Sequence, residues 1–169
     1  MKRLVATAAG VAVLVFVSAA VTFARGGATV DTFPVSFVLT SGTCSLLPAG
    51  TVLSGNGTEK SITTVTTRNG VTTFENSTHA HGTAVDQSGN VYVFNYSNDF
   101  RGTFDDNGVL NGTMNDAFAL AGSGPSRLSS GFTGTFSTDF VTFFTVPHVT
   151  RSYGDPLDFV TGATHCDPL

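Results

Sequence analysis

The chain has 169 residues, with 8 basic and 12 acidic side chains and a formal net charge of -4. That size encloses one hydrophobic core without metal ions, so a single domain is expected. The basic residues are scattered singly, leaving no cationic stripe of the kind that nucleic acid or anionic lipid demands, and neither is an expected partner.

Met1, Lys2 and Arg3 make a short basic start, and Leu4 to Val17 is an apolar run broken only by Thr7 and Gly10. Small residues follow at Ser18, Ala19 and Ala20, then at Thr22 and Ala24. This order reads as a secretory signal peptide over residues 1–24, with cleavage after Ala24 or Ala20, ahead of a domain over 25–169. The apolar run is shorter than the ~20 residues a membrane span needs, so no membrane insertion is expected once the leader is removed. The expected location is secreted, or extracellular. In an oxidising compartment two cysteines flanking a domain pair with each other, since two thiolates alone do not complete a zinc shell. Cys44 and Cys166 are therefore expected to form one disulfide, and no cofactor is expected.

Beyond the leader the chain is rich in Thr, Phe, Val, Gly and Asn, which suits a pleated sheet with Gly and Asn at its turns. Phe33, Val35, Phe37 and Leu39 alternate with Pro34, Ser36, Val38 and Thr40, marking a first strand with its odd positions buried. A loop over 41–50 holds Cys44 and Pro48. Residues 51–67 are extended, with a bulge or bend expected at Gly55 and Gly57. Asn69 and Gly70 supply a two-residue hairpin turn, residues 71–85 return as its partner, and 86–90 form the next turn. Tyr92, Phe94, Tyr96, Asn98, Phe100, Gly102 and Phe104 share the inward face of a long strand. The turn at 105–108 leads to residues 109–121, where Leu110, Gly112, Met114, Asp116, Phe118 and Leu120 continue that face. After a loop over 122–130, Phe132, Phe136, Phe140 and Phe144 are expected to share one face. Pro147 should end or bend that strand, and Leu157 to Cys166 is the expected closing strand. The predicted fold is an all-β, single antiparallel up-and-down β-barrel of about 7–8 strands, with a β-sandwich as the alternative.

Two constellations could carry chemistry. His79 and His81, one residue apart in a strand, project from one face at a spacing common for metal ligands. Phe74, Ala80 and Ala84 take the opposite parity, which places both imidazoles toward solvent with Thr73, Glu75 and Ser77. Asn76, Asn98 and Asp116 instead fall on the face that Phe74, Phe100 and Phe118 keep apolar. Polar groups buried there without partners would cost about 1 to 3 kcal/mol each, so they bond one another, bind water or meet a ligand. Asn76, Tyr92, Tyr96, Asn98, Phe100, Met114, Asp116 and Phe118 are accordingly the expected lining of a ligand site. No catalytic residue is assigned, because no second titratable group is placed beside Asp116 by sequence. Asn56, Asn76, Asn95 and Asn111 each begin an Asn-x-Ser/Thr triplet, which chance explains in a chain so rich in Asn and Thr.

The Cys after an alternating first strand, the Gly-rich segment GTVLSGNGTE, the segment FALAGSGPSRLSSGFTGTF and the late Cys together resemble a group of small exported bacterial proteins of unknown function with a calycin-like barrel. The resemblance spans most of the chain after the leader. It implies a barrel with an internal ligand site and transfers no catalytic residue. The stretch 146–158 is longer than that pattern and leaves the final strand pairing open. The expected function is a secreted small-molecule binding module for an apolar or amphipathic ligand. The alternatives are an extracellular structural or interaction protein with a solid core, and a cupin-like metal-dependent enzyme built on His79 and His81.

Overall fold

The computed structural model describes residues 27–142, 144–156 and 165–169. The expected signal peptide lies outside them, as does most of the expected closing strand. Seven strands, β1 (Ala28–Thr40), β2 (Val52–Arg68), β3 (Val71–Asp86), β4 (Val91–Phe104), β5 (Leu110–Gly122), β6 (Leu128–Thr138) and β7 (Phe144–Tyr153), form one antiparallel sheet in sequence order. The fold is therefore all-β and up-and-down, as the alternating patterns require. Among the described residues β1 pairs only with β2 and β7 only with β6, so the sheet is not closed.

Turn chemistry sets the meander. At the β2–β3 hairpin Asn69 and Gly70 take φ values of 51° and 81°, the pair of left-handed residues that matches the twist of a hairpin. The β3–β4 and β4–β5 turns repeat one device. Asp86 Oδ1 accepts the amides of Ser88 and Asn90 while Gly89 takes a φ of 82°. Asp105 Oδ1 accepts those of Asn107 and Val109 while Gly108 takes a φ of 78°. Each carboxylate thus substitutes for a strand partner at the point where the backbone reverses.

The inward parity read from the sequence holds through most of β3, β4 and β5, where every fully buried residue is even-numbered, while residues 72–77 of β3 are all half-buried. In β1 the odd residues Phe37 and Leu39 are buried. Inward side chains form two apolar clusters. The first holds Phe37, Leu39, Leu47, Leu53, Tyr92, Phe94, Phe118 and Leu120 beside the Cys44–Cys166 disulfide. The second holds Leu110, Met114, Phe132 and Phe136, flanked by half-buried Phe74, Phe100 and Phe104. Rings meet edge-on where Phe37 packs on Phe94 and Phe118, an arrangement favoured by the aromatic quadrupole.

Three expectations need correction. Gly55 and Gly57 make no bulge: the β1–β2 and β2–β3 registers run unbroken through both. They are glycines because a Cβ at Gly55 would lie 2.3 Å from the Phe37 ring, and one at Gly57 2.3 Å from the His81 carbonyl oxygen. Phe140 and Phe144 do not continue strand β6, although their rings join its inward face, Phe140 packing on Phe74 and Phe104 and Phe144 stacking on Phe136. Phe140 sits in a turn with a φ of 61°, and Phe144 opens β7. Pro147 does not end a strand either. It lies within the edge strand β7, where the β6–β7 register slips between Thr135 and Ser137, so its missing N–H interrupts no ladder. Of the expected closing strand, His165 and Cys166 are described, and they lie in a strandless tail.

Candidate functional site

Register lines the inward face up in rows that cross the sheet. Glu59, Ala80, Tyr96, Phe118 and Ser130 form one row; Ser61, Thr78, Asn98, Asp116 and Phe132 the next; Thr63, Asn76, Phe100, Met114 and Gly134 a third. These rows place a polar belt between the two apolar clusters. In its first half Asn76 Nδ2 donates to Ser61 Oγ and Thr63 Oγ1, each at 2.8 Å, and Thr78 Oγ1 donates to Asn76 Oδ1 at 2.9 Å. In its second half Asp116 Oδ2 accepts from the Tyr96 hydroxyl at 3.0 Å and from Asn98 Nδ2 at 2.6 Å.

The tail completes this second half. Asp167, next to the disulfide-bonded Cys166, is 3% exposed, and Leu169 packs on the first cluster. Burial, then a hydrogen bond to Asp116 and the charge of that carboxylate, push the Asp167 carboxyl up to about 10, so it keeps its proton at neutral pH. Asp167 Oδ2 is buried without a hydrogen-bond partner among the described residues. Burial and the neighbouring Asp116 likewise push the Tyr96 phenol up, and burial raises Glu59. Both belt carboxyls are enclosed, so the pair seats the tail rather than facing open solvent. A charge-assisted contact outside the core anchors the same tail: Asp155 Oδ1 lies 2.7 Å from His165 Nδ1, and Asp155 Oδ2 accepts from Ser45 Oγ at 2.7 Å.

The structure divides the sequence-predicted residues. Tyr96, Asn98 and Asp116 meet in one hydrogen-bonded group, and Asn76 and Phe100 lie half-buried beside it. Met114 and Phe118 are buried in the second and first clusters. Tyr92 is wholly enclosed, its hydroxyl donated at 2.9 Å to Asp86 Oδ2, which ties the core to the β3–β4 turn. The side-chain amide of Asn90, with the other donors of that turn, holds Asp86 below the usual carboxylate range against the opposing effect of burial. His79 and His81 are exposed on the outer face, with His79 Nε2 3.2 Å from Ser77 Oγ. Among the described residues no three metal-ligating side chains gather.

Glu59, Ser61, Thr78, Ser130 and Asp167 belong to the inward surface but were not singled out from sequence. For the β2 residues the parity of Leu53 was the available signal. For Asp167 the only signal was its position beside a cysteine expected to be bonded near the core. Ser130 Oγ is buried and has no partner among the described residues, leaving an unused donor and acceptor on the row of Tyr96. Comparison with protein-family models, with curated proteins and with solved structures finds no match to this chain.

Proposed function

We propose that this chain is an exported binding module that takes a small amphipathic molecule on its inward face, beside the polar belt. One observation carries the reading: Asn76, Asn98 and Phe100, with Phe74 and Tyr96, stay half-buried between two apolar clusters, while Thr78, Met114 and Asp116 beside them are buried. An apolar wall with a few fixed polar groups is the usual make-up of a small-molecule site. Phe74 and Phe100 stack at 5.4 Å and offer ring surface to an apolar body. The free lone pairs of Asn98 and Asn76 would orient a polar head. The disulfide supports export, as it persists in oxidising surroundings, and no helix among the described residues is long and apolar enough to cross a membrane. A calycin-like relationship would agree with the meander and with an inward ligand.

Native mass spectrometry of the purified chain tests this. A co-purified amphiphile, or saturable uptake of an added fluorescent fatty acid, is expected. Phe100→Ala should weaken uptake about tenfold or more, since burying a phenyl ring is worth ~1.5–3 kcal/mol. A folded chain that neither carries nor takes up any amphiphile would remove the proposal.

A further inference from the structure

The outer face carries a second surface whose shape follows from cross-strand register. One outward row runs His79, Ser97, Ala117, Gly131, Tyr153, and the next runs His81, Asn95, Ala119, Ser129. In the first row the middle of the sheet bears the shortest side chains and the flanks the tallest, and the second falls from His81 to Ala119 and Ser129. Tyr153 lies down across this face because Gly131 has no side chain: a Cβ there would sit 2.7 Å from the Tyr153 hydroxyl. The result is a groove of about 430 Å³, floored by Ala117 and Ala119 and walled by the two histidines and Tyr153.

The groove continues. Ser77, two residues along β3 from His79, begins an adjoining depression of about 560 Å³ lined by Thr113, Asn115 and Thr133, among others. Four successive rows, those of His81, His79, Ser77 and Glu75, extend over roughly 20 Å at strand rise. Its charges are of mixed sign: Arg101 is paired with Glu75 at 2.9 Å, Asp99 adds a negative charge, and Lys60 and Arg151 stand opposite His79 and Thr133, so no patch of one sign is presented to a polyanion. Sheet amides and carbonyls beneath it are already paired across five strands, so recognition falls to side chains. Asn95, Ser97, His81 and Ser129 have no side-chain partner among the described residues and can both donate and accept.

We infer that this outer groove binds a neutral linear oligosaccharide. A long, shallow trough without a patch of one charge sign, edged by amide, hydroxyl and imidazole groups and by the ring of Tyr153, is complementary to a polyhydroxylated chain. It offers no free backbone edge to a peptide and no deep apolar pocket to a lipid. The outward side chains of the groove stand on the opposite face of the sheet from the proposed amphiphile site, although Asn76, Phe100 and Met114 also contribute to the lining of the adjoining depression.

Titration of the isotopically labelled chain with neutral oligosaccharides of glucose, xylose and N-acetylglucosamine, followed by NMR, tests the inference. At least one is expected to bind at millimolar concentration, with shifts confined to the amides around His79, His81, Asn95, Ser97 and Ala119. Ala119→Phe, a change at an exposed position that fills the floor, should weaken binding about tenfold or more, and Tyr153→Ala should weaken it several-fold, both with the thermal melt unchanged. No binding by any of the three, shifts mapping elsewhere, or full affinity retained in a folded Ala119→Phe chain would each overturn it. So would a preference for sulfated or phosphorylated glycans that disappears with added salt.

Discussion

The pairing of Asp116 with Asp167 makes the tail sensitive to pH in an unusual sense. A carboxyl whose folded value is raised from 3.8 to about 10 favours the folded chain while it is protonated. Its contribution is whole below pH ~4, and it is lost as pH rises toward the folded value, because the unfolded chain then gives up a proton that the folded chain must keep. Glu59, also raised, acts in the same direction. Asp86 and Asp155 are held low and act oppositely: burial works against Asp155, but its hydrogen bonds to Ser45 and His165 prevail. Their stabilisation is present above ~4 and lost as pH falls through their folded values. Resistance to urea should therefore peak in mildly acidic solution and decline toward alkaline pH. Asp167→Asn should flatten the alkaline decline, and an unaltered slope in that variant would show that the carboxyl is not the source. Asp116 on β5 faces Asp167, and Asp167 and Glu59 on β2 both act on Tyr96 of β4.

At the scale of strands, steric exclusion decides what the alternation leaves open. Gly82 on β3 faces Gly57 on β2, and a Cβ added at Gly82 would lie 2.2 Å from the Asn56 carbonyl oxygen and 2.7 Å from the Phe94 ring. Gly82→Ala should thus destabilise by ~1–3 kcal/mol through overpacking, seen as a lowered urea midpoint; a midpoint equal to that of the parent would contradict the packing described. The same glycines show what was legible beforehand. Parity assigned Phe94, Asn98, Phe100 and Asp116 to the inside because a strand repeats every two residues. It did not reveal that Gly55 and Gly57 make room for rings on neighbouring strands, since that contact joins residues far apart in the chain. Asp167 escaped for a related reason: Asp-Pro-Leu at the end of a strandless tail has no periodicity, and only its tether to Cys44 brings it inside. The pairing of Asp116 with a second acid was therefore invisible.

For the molecule as a whole, the sheet and the cystine divide the work of holding the ends. Every strand pairs with its neighbour in sequence, so hydrogen bonding alone ties the described strands only locally. The disulfide joins residues 122 apart and seats the tail against the first cluster. On the chain-entropy model such a loop closure contributes about 4–5 kcal/mol. The Cys44→Ser, Cys166→Ser double variant should melt at clearly lower urea, with the tail amides around Asp167 losing protection from hydrogen exchange. Retained protection there would mean that the carboxyl pair suffices without the covalent link.

Among the described residues the sheet has two flanks, and each strand that forms one, β1 and β7, contains a proline, Pro34 and Pro147. Neither residue has a backbone N–H to donate, and the β6–β7 register slips beside Pro147. Lateral growth of one copy onto another is thereby discouraged at both sides. A chain so rich in threonine, valine and phenylalanine can in this way remain dispersed at high concentration instead of templating fibres.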